Sequence, residues 1–475
     1  MRIARFIKLL LRSEISKKNT LPDGVIKNYN KQRPDKSQKL LCLAPFNSLR
    51  LNRSGGVTPC CQNYNLDNIK NTSLKEVWFG SEYNKLREHI RKNDLSFFCD
   101  FCEIHMKNEN FAGVLASTYD FHPLNENGYP SYIDFSMDST CNLACIMCNS
   151  SLSSQINEND KFVNNDKFHY EDSFFEELKA FIPHLKSVNF SGGEPFLIGD
   201  YYKIWDLVFE LNPSLPITVT TNGTVLNERV KKYLHKGKFN INLSIDSLQK
   251  ECYEKIRIKA QFEKTVNNID YFKQYCNDIN STFSLVVCPM RFNWKEIPDF
   301  IQYANKNNFI LNFNIVTKPF DCAIWTLPAA EIAVIYEYFK SFNFTIANNV
   351  ERNNYNKYMS LLPLIKMWLV NAIDLEKKIK IADIASLRFN LKEIISEKTI
   401  NYFLSLHDKE SKSFDKNKLL KNIEDIIVNT PDLLLITGLI EKMKSLPDDF
   451  LFNEFYYQNV DATTDNLCSL AYYSI

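Results

Sequence analysis

The sequence lacks the features that mark several common classes of protein. Its 57 basic and 56 acidic residues leave a formal net charge of +1, so no strong electrostatic field favours nucleic acid as a partner. None of its 7 histidines forms a pair with the spacing of metal ligands. The 475 residues are 45% hydrophobic, which supports a large soluble enzyme with two or three domains.

The amino terminus also lacks a hydrophobic run long enough to span a bilayer. In residues 1–18 (MRIARFIKLLLRSEISKK), basic side chains recur every three or four positions with apolar ones between them, which predicts a basic amphipathic helix. Such a helix can lie on an anionic membrane surface as a peripheral contact, or pack on its own protein, which we favour. Residues 19–39 are polar, contain two prolines and predict a linker.

Cysteine is the informative residue that the chain does have. Cys141, Cys145 and Cys148 form a C-x3-C-x2-C run with no fourth cysteine close by. A cubane of four irons normally takes four cysteines, so three ligands leave one iron open, as catalytic zinc sites keep an open position. The alternatives are a zinc knuckle, which needs a fourth Cys or His nearby, a disulfide, which uses pairs, and chance clustering among 13 cysteines.

The triplet comes directly after a predicted β-strand. Residues 131–138 (SYIDFSMD) alternate apolar and polar side chains, so the cysteine loop leaves the carboxyl end of a strand, where parallel α/β sheets place chemistry. Further strands are predicted at 187–190, 217–221, 241–245, 283–287 and 310–316, and helices at about 173–181, 202–211, 226–235, 261–276, 294–307 and 329–342. A capping box of Ser173 and Glu176 opens the first helix. Six alternating units predict an α/β fold, a partial (β/α)6 barrel over residues 125–344.

A second motif, SGGEP at residues 191–195, follows the second predicted strand. Alone it is as typical of a tight turn as of a binding loop. With the cysteine loop one strand earlier, it makes residues 130–320 resemble the radical S-adenosylmethionine (radical SAM) enzymes. The resemblance implies that Cys141, Cys145 and Cys148 hold a 4Fe-4S cluster with S-adenosylmethionine on its open iron. It also implies that the glycine-rich loop binds the amino group of the methionine moiety through Gly192, Gly193 and Glu194.

The same resemblance implies further contacts to S-adenosylmethionine. Ser244 and Asp246 match positions that contact the ribose or the methionine carboxylate, and Arg257 matches an arginine that binds this carboxylate with two parallel hydrogen bonds. A solvated charge on a helix is the alternative for Arg257. Asn222 lines the same pocket or belongs to a turn. Met147 stands where the family often has an aromatic residue, and its thioether can pack on adenine.

A second cysteine group lies upstream of the predicted barrel. Cys42 and Cys60 are separated by seventeen residues, and Cys99 and Cys102 follow after a helix with a capping box at residues 73–76. Residues 40–110 look like the twitch domain, the shorter relative of the SPASM domain, and this resemblance implies one auxiliary 4Fe-4S cluster on the four cysteines. The family usually carries this domain after the barrel. Structural zinc is the alternative, and Cys61 is a spare thiol or a fifth ligand.

The rest of the chain contains no motif that indicates a catalytic or binding site. Residues 345–475 show apolar residues at helical spacing and predict a mainly helical appendage that covers the barrel or binds the carrier of the substrate. The five scattered cysteines are expected to be small buried hydrophobes. Thiolate ligands need a reducing compartment, and no cleavable signal peptide precedes them, so we expect a cytoplasmic protein.

The resemblance implies an enzyme that reductively cleaves S-adenosylmethionine to a 5′-deoxyadenosyl radical, which abstracts hydrogen from a substrate. An auxiliary cluster closed by four cysteines favours electron transfer and therefore an oxidation, of a small molecule or of a peptide. The expected partners are this substrate and an electron donor such as flavodoxin or ferredoxin. The alternatives are a peptide-modifying maturase and a non-catalytic iron–sulfur or zinc scaffold, which has no need of a pocket at Glu194, Ser244 and Arg257.

Overall fold

The structure is a computed structural model, and it describes residues 21–33, 39–61, 65–107, 109, 111–150, 152–156, 168–381, 384–407 and 415–429, together with the single positions 443, 448, 451 and 455. The predicted amphipathic helix over residues 1–18 and the last cysteine, Cys468, lie outside the described residues.

One sheet of nine strands organises the described part of the chain, in the order β3-β2-β1-β4-β5-β6-β7-β8-β9. Strands β4 to β9 pair in parallel, one after the next, and β1 joins β4 in parallel. Strands β2 and β3 complete the sheet as antiparallel neighbours. The strands are β1 Ser48–Asn52, β2 Gly56–Thr58, β3 Asp67–Asn68, β4 Tyr132–Ser136, β5 Ser187–Phe190, β6 Ile217–Thr221, β7 Phe239–Ser244, β8 Phe283–Val287 and β9 Ile310–Phe313.

Helices separate the strands of this sheet and continue after it. The first five are α1 Asp23–Gln32, α2 Ala44–Asn47, α3 Leu74–Phe79, α4 Ser81–Arg91 and α5 Asp100–Lys107. The next seven follow strands β4 to β9, one after each strand except for two after β7: α6 Asp172–Leu178, α7 Gly199–Leu211, α8 Glu228–Lys236, α9 Lys250–Ile256, α10 Phe262–Asp278, α11 Ile297–Lys306 and α12 Ala329–Lys340. Last come α13 Asn349–Ile381, α14 Ile384–His407 and α15 Lys416–Asn429. Short 3-10 turns lie at Phe111–Gly113, Leu115–Phe121, Ile182–His184, Pro195–Leu197, Trp294–Glu296 and Ile324–Thr326.

The alternation of side chains gives the parallel sheet two different faces. In β7, Phe239, Ile241 and Leu243 are buried, whereas Asn240 and Asn242 between them are half-buried. The apolar face packs against the helices, and the polar face lines the inside of the curved sheet, which we call the lumen. The predicted partial (β/α)6 barrel is therefore confirmed, with a core between the sheet and its helices.

The amino-terminal cysteine region extends the barrel sheet, which the sequence does not predict. Strand β1 pairs with β4 over its whole length, so that Arg50 lies beside Asp134. Strand β2 returns antiparallel and places Thr58 beside Arg50. Side chains paired in register lie on one face of a sheet. The lumen wall therefore continues from the barrel into the cysteine region.

Three local expectations are corrected by the structure. Residues 23–32, expected within a linker, form α1, because Tyr29 is buried against the ring of Phe111, with ring centroids 6.0 Å apart. The capping box predicted at Ser173 is absent, since the cap of α6 is Glu171 and makes no side-chain hydrogen bond. Helix α9 was not predicted. The capping box of Ser73 and Glu76 at α3 is confirmed.

The carboxyl-terminal region is mainly helical, as predicted, since α13, α14 and α15 hold most of its described residues, whereas residues 345–348 and 415 lie outside these helices. Helix α13 lies along the free edge of β9, where the amide side chain of Asn354 accepts from the backbone N–H of Leu311 (2.9 Å) and donates to the carbonyl of Phe309 (2.8 Å). The helix therefore satisfies backbone groups of the last strand and covers the open side of the barrel. No helix in the described part of the chain is long and apolar enough to cross a membrane.

Candidate functional site at the two cysteine groups

The loop of Cys141, Cys145 and Cys148 leaves the carboxyl end of β4, as predicted. Its backbone is fixed by the carboxyl end of α9 and the residues that follow, because the N–H of Ala144 donates to the carbonyl of Ile258 (3.1 Å) and the N–H of Ile146 donates to the carbonyl of Ile256 (3.0 Å). Helix α9, which sequence reasoning missed, thus holds the cysteine loop in place.

The three thiols of this loop are half-buried and lie close enough to influence one another. Burial raises the pKa of Cys148 to about 12, and the neighbouring Cys145 adds to the shift. Burial also raises the pKa of Cys145, while the nearby guanidinium of Arg257 opposes the shift. Thiols with raised pKa values become thiolates when a metal supplies positive charge. This donor set fits the three-cysteine cluster.

Two glycines let the SGGEP loop lie directly against the cysteine loop. Gly192 has a φ of +109°, and a Cβ atom there would approach the carbonyl oxygen of Asp138 to 2.6 Å. A Cβ atom at Gly193 would approach the carbonyl oxygen of Thr140 to 2.2 Å. The loops are joined by hydrogen bonds from the N–H of Gly193 to Asp138 (2.9 Å) and from the N–H of Glu194 to Thr140 (2.8 Å). The glycines are therefore required for contact between the loops.

Glu194 is buried and ties the SGGEP loop to the end of β6. Its Oε1 accepts from the hydroxyl of Thr221 (2.7 Å) and the N–H of Phe196 (3.2 Å), and its Oε2 accepts from the N–H of Asn222 (2.8 Å). Burial raises the pKa of Glu194 to about 7, although these hydrogen bonds oppose the shift. The carboxyl group thus has three partners within the chain, and its predicted contact with an ammonium group stays a prediction.

Asp246 and Arg257 form a buried ion pair beside the cysteine loop. Oδ2 of Asp246 lies 2.7 Å from Nη2 of Arg257, and the two side chains are 0% and 6% exposed. Oδ1 of Asp246 accepts from the N–H of Cys288 (2.7 Å). The Nε of Arg257 is buried and has no hydrogen-bond partner. A buried donor without a partner is costly, so this guanidinium fits a ligand carboxylate.

The remaining predicted contacts surround the same region. The amide nitrogen of Asn222 lies 3.8 Å from Sγ of Cys141 and donates to Oδ1 of Asn142 (3.0 Å). Ser244 ends β7 on the lumen face, and Met147 lies half-buried in the cysteine loop. The structure thus brings the predicted residues together at the carboxyl edge of the sheet. Asn142, which the sequence analysis missed, sits between the cysteines and Asn222.

The four upstream cysteines meet around one apolar cavity, as predicted. Cys42, Cys60, Cys99 and Cys102 all line it, together with Phe98, Leu115 and Tyr119 among others. Burial raises the pKa of Cys42 to about 12 and that of Cys102 to about 11, and the two thiols interact. Cys61 does not line this cavity, but its thiol lies close enough to Cys102 to help raise the pKa of that group.

The four upstream thiols lie around one cavity, which fits a cluster of several irons. Structural zinc takes the same kind of donors, four of them within about 2.3 Å of one point.

Comparison with known protein families agrees with this geometry. The model of the Radical SAM superfamily matches residues 136–304, and that of the SPASM iron–sulfur cluster-binding domain matches residues 42–103. This chain carries a radical SAM domain. The SPASM domain precedes it, so the protein takes a radical SAM 4Fe-4S cluster that binds S-adenosylmethionine and an auxiliary cluster, and the zinc alternative is not supported.

Curated relatives of this chain include enzymes named GTP 3',8-cyclase. One from Clostridium perfringens is 29% identical over 186 residues, which are 38% of this chain and 54% of the relative. One from Clostridium acetobutylicum is 31% identical over 140 residues, 29% of this chain and 42% of the relative. The Dictyostelium discoideum molybdenum cofactor biosynthesis protein 1 is 25% identical over 238 residues, 49% of this chain and 36% of the relative. The chain spans about half the length of the curated relatives it matches first.

Two solved structures are similar to this chain at low identity. Native anSMEcpe with bound AdoMet is 20% identical with a TM-score of 0.33, covering 49% of this chain and 58% of that one. Streptococcus suis SuiB bound to S-adenosylmethionine is 14% identical with a TM-score of 0.34, covering 60% of this chain and 64% of that one.

The two cysteine groups lie at opposite ends of the sheet. Cys141 follows the carboxyl end of β4, whereas Cys42 precedes the amino end of β1, which is parallel to β4. Strand β2 runs back and delivers Cys60 to this amino end. Strand β4 has five residues, so its ends are on the order of 15 Å apart.

Arg53, which the sequence analysis missed, connects the SPASM domain to the radical SAM loop. It follows β1, and its guanidinium donates to the hydroxyl of Ser139 (3.3 Å) and the carbonyl of Ser150 (3.1 Å) on either side of the three cysteines. A basic residue seven positions before Cys60 carries no recognisable motif, so only the sheet pairing explains this contact.

Proposed function

We propose that this radical SAM protein is an enzyme that oxidises a substrate held in the lumen of its barrel. When bound, the cofactors supply a 5′-deoxyadenosyl radical for hydrogen abstraction at the three-cysteine site and, at the auxiliary site, an acceptor for the electron of the oxidation. The observation that carries the proposal is the position of the two cysteine groups at opposite ends of one polar sheet face.

The residues of this face support a substrate site between the groups. Asp134 accepts from the amide of Asn189 (2.7 Å), and Asn242 accepts from the hydroxyl of Ser284 (2.5 Å). Thr220 lies beside Asn242 in the neighbouring strand. Amides and hydroxyls of this kind bind polar substrates. The lumen therefore suits a polar molecule better than an apolar one.

The residues near the cysteine loop would position S-adenosylmethionine in this scheme. Arg257, held by Asp246, offers its unpartnered Nε to the methionine carboxylate. The SGGEP loop offers backbone carbonyls to the amino group, and Asn222 and Ser244 border the remaining space. The thiol of Cys322 lies 3.5 Å from the carbonyl oxygen of Ile146 and thus packs against the cysteine loop.

The proposal is tested by cleavage of S-adenosylmethionine. Anaerobically reconstituted protein with dithionite should release 5′-deoxyadenosine, and replacing Cys141, Cys145 and Cys148 together by Ala should abolish this release. Undiminished release from the triple variant would reject the assignment, and no release from the wild type would favour a non-catalytic scaffold.

The names of the curated relatives make GTP the first substrate to assay. Incubation of the reconstituted protein with GTP, or with a precursor peptide encoded nearby, separates a small-molecule substrate from a peptide. Consumption of either one, accompanied by stoichiometric 5′-deoxyadenosine, would identify the class. A peptide product would establish the peptide-modifying alternative.

A further inference from the structure

The charged side chains on the lumen face differ in whether an opposite charge lies beside them. At the β1 edge, Nε of Arg50 lies 3.4 Å from Oδ2 of Asp134, so these two charges offset each other. At the β9 edge, the side chain of Lys357 reaches Asn312 from α13. The two edges of the same polar face therefore differ in their need for a counter-ion.

The turn of α13 that carries Lys357 is anchored to the edge of β9. Three residues earlier, Asn354 fixes α13 to the edge of β9 through the N–H of Leu311 (2.9 Å). Leu311 is buried on the helix-packed face, so Asn312 beside it faces the lumen. The ammonium of Lys357 donates to the side-chain oxygen of Asn312.

No carboxylate in the described part of the chain pairs with this ammonium group. Among the residues that the structure describes, no acidic side chain forms a salt bridge with Lys357, although several lysines on exposed helices pair with one, as Lys179 does with Glu176 (2.7 Å). Lys357 is half-buried, and burial lowers its pKa. A partly desolvated cation with a single neutral partner is unfavourable unless an anion binds to it.

We propose that Lys357 and Asn312 form an anion subsite in the lumen, which binds an oxyanion of the substrate, as a phosphate ester or a carboxylate. Lys357 supplies the charge, and the amide nitrogen of Asn312 can donate to a second oxygen of the same group. The inference rests on the proposed function, because it takes the lumen as the substrate site. It adds that the substrate is anionic.

The subsite also explains a role for the carboxyl-terminal helices. Helix α13 covers the edge of β9 and at the same time delivers a charged side chain to the lumen. To cover the edge of β9, the helix would need only apolar side chains and side chains such as Asn354, which form hydrogen bonds with the backbone of the strand. The helical region is thus part of the substrate site.

The subsite is tested by lysine footprinting of the reconstituted wild-type protein. Limited acetylation with acetic anhydride, quantified by peptide mass spectrometry, is carried out in inorganic phosphate, in acetate and in chloride of equal ionic strength. We expect phosphate or acetate to slow acetylation of Lys357 by at least about threefold, as mass action requires when the anion is above its dissociation constant. Lys366, exposed on the same helix, is the internal control and should not change.

Each outcome decides the inference. Protection by phosphate alone assigns a phosphate ester, and protection by acetate alone assigns a carboxylate, while protection by both supports an oxyanion site for either. No protection, or equal protection of Lys366, overturns the subsite. As a second measurement, stabilisation of the protein by the protecting anion should be lost in Lys357→Gln and retained in Lys366→Gln.

The two proposals fail separately. Footprinting does not depend on turnover, so missing protection alongside normal release of 5′-deoxyadenosine rejects the subsite alone. Missing 5′-deoxyadenosine alongside intact protection rejects the proposed function alone.

Discussion

Arg50 and Asp134 face each other across the junction between the SPASM domain and the barrel, with Nε and Oδ2 3.4 Å apart. Both project from strands that pair in parallel, and they occupy the same register position. Asp134 also accepts from Asn189 on the next strand (2.7 Å). The pair therefore links three strands and both domains on the lumen face.

Breaking this pair should weaken the domain junction. Replacing Arg50 by Gln leaves Asp134 half-buried without its cation, and we expect the free energy of unfolding to fall by about 1–2 kcal/mol. Denaturant titration of Arg50→Gln, Asp134→Asn and the double variant gives a double-mutant cycle. A coupling energy of about 0.5 kcal/mol or more is expected, and strict additivity would show that the two charges do not interact.

Gly193 should tolerate no side chain. Because a Cβ atom there would lie 2.2 Å from the carbonyl oxygen of Thr140, Gly193→Ala must displace the SGGEP loop or the cysteine loop. We expect a loss of more than about 2 kcal/mol of stability. Gly199→Ala is the matched control, since nothing lies within 4 Å of a Cβ atom at that position, and it should change stability by less than about 0.5 kcal/mol.

The two glycine variants should also differ in their affinity for S-adenosylmethionine. Isothermal titration calorimetry of the reconstituted glycine variants should show weakened binding for Gly193→Ala and normal binding for Gly199→Ala. Equal affinities would mean that the SGGEP loop does not contribute to the site.

The strands of the barrel could be predicted because their patterns are local. The strands at 187–190, 217–221 and 283–287 match the predicted bounds, since each alternates or is continuously apolar between turn residues. The strand predicted at 310–316 ends at Phe313, and that at 241–245 begins at Phe239 instead. Ends of elements depend on tertiary pairing, which a sequence pattern does not carry.

Other parts depend on contacts between distant segments. Helix α1 is polar and is stabilised by Tyr29 and by the ion pair of Arg33 with Asp120 (2.5 Å), which is 87 residues away. The pairing of β1 with β4 joins residues more than eighty positions apart. No periodicity reveals such pairings.

The residues of the candidate site also fall into those that the sequence predicts and those that only the fold reveals. The cysteines, the SGGEP motif and Arg257 could be found because fixed spacing or chain order marks them. Arg53 and Lys357 reach the site from segments without any motif, so only the fold brings them there. Asn142 lies inside the three-cysteine motif, at a position whose residue type the cysteine spacing does not specify.

Glu194 should make stability depend on pH. Burial raises its pKa from 4.5 to about 7, so the folded protein binds this proton more tightly than the unfolded chain. The stabilisation is complete below about pH 4.5 and is lost as pH rises through about 7, a change of roughly 3 kcal/mol. Without S-adenosylmethionine, the unfolding free energy of wild type should therefore fall relative to Glu194→Gln between pH 5 and 7.5.

Chemical denaturation across this pH range checks the prediction. The control is Glu176→Gln, since the Glu176 side chain is 68% exposed, and this variant should follow the wild-type profile. A Glu194→Gln profile parallel to that of wild type would contradict the raised pKa.

Iron content and cleavage of S-adenosylmethionine, measured together in three proteins, test the central claim of two separate clusters most directly. We predict about eight irons and cleavage in the wild type. Cys99→Ala with Cys102→Ala should hold about four irons, continue uncoupled release of 5′-deoxyadenosine and form no oxidised product. Replacing Cys141, Cys145 and Cys148 by Ala should also leave about four irons but stop cleavage. Normal product yield from a Cys99 and Cys102 variant shown by electron paramagnetic resonance to lack its second cluster would contradict the account.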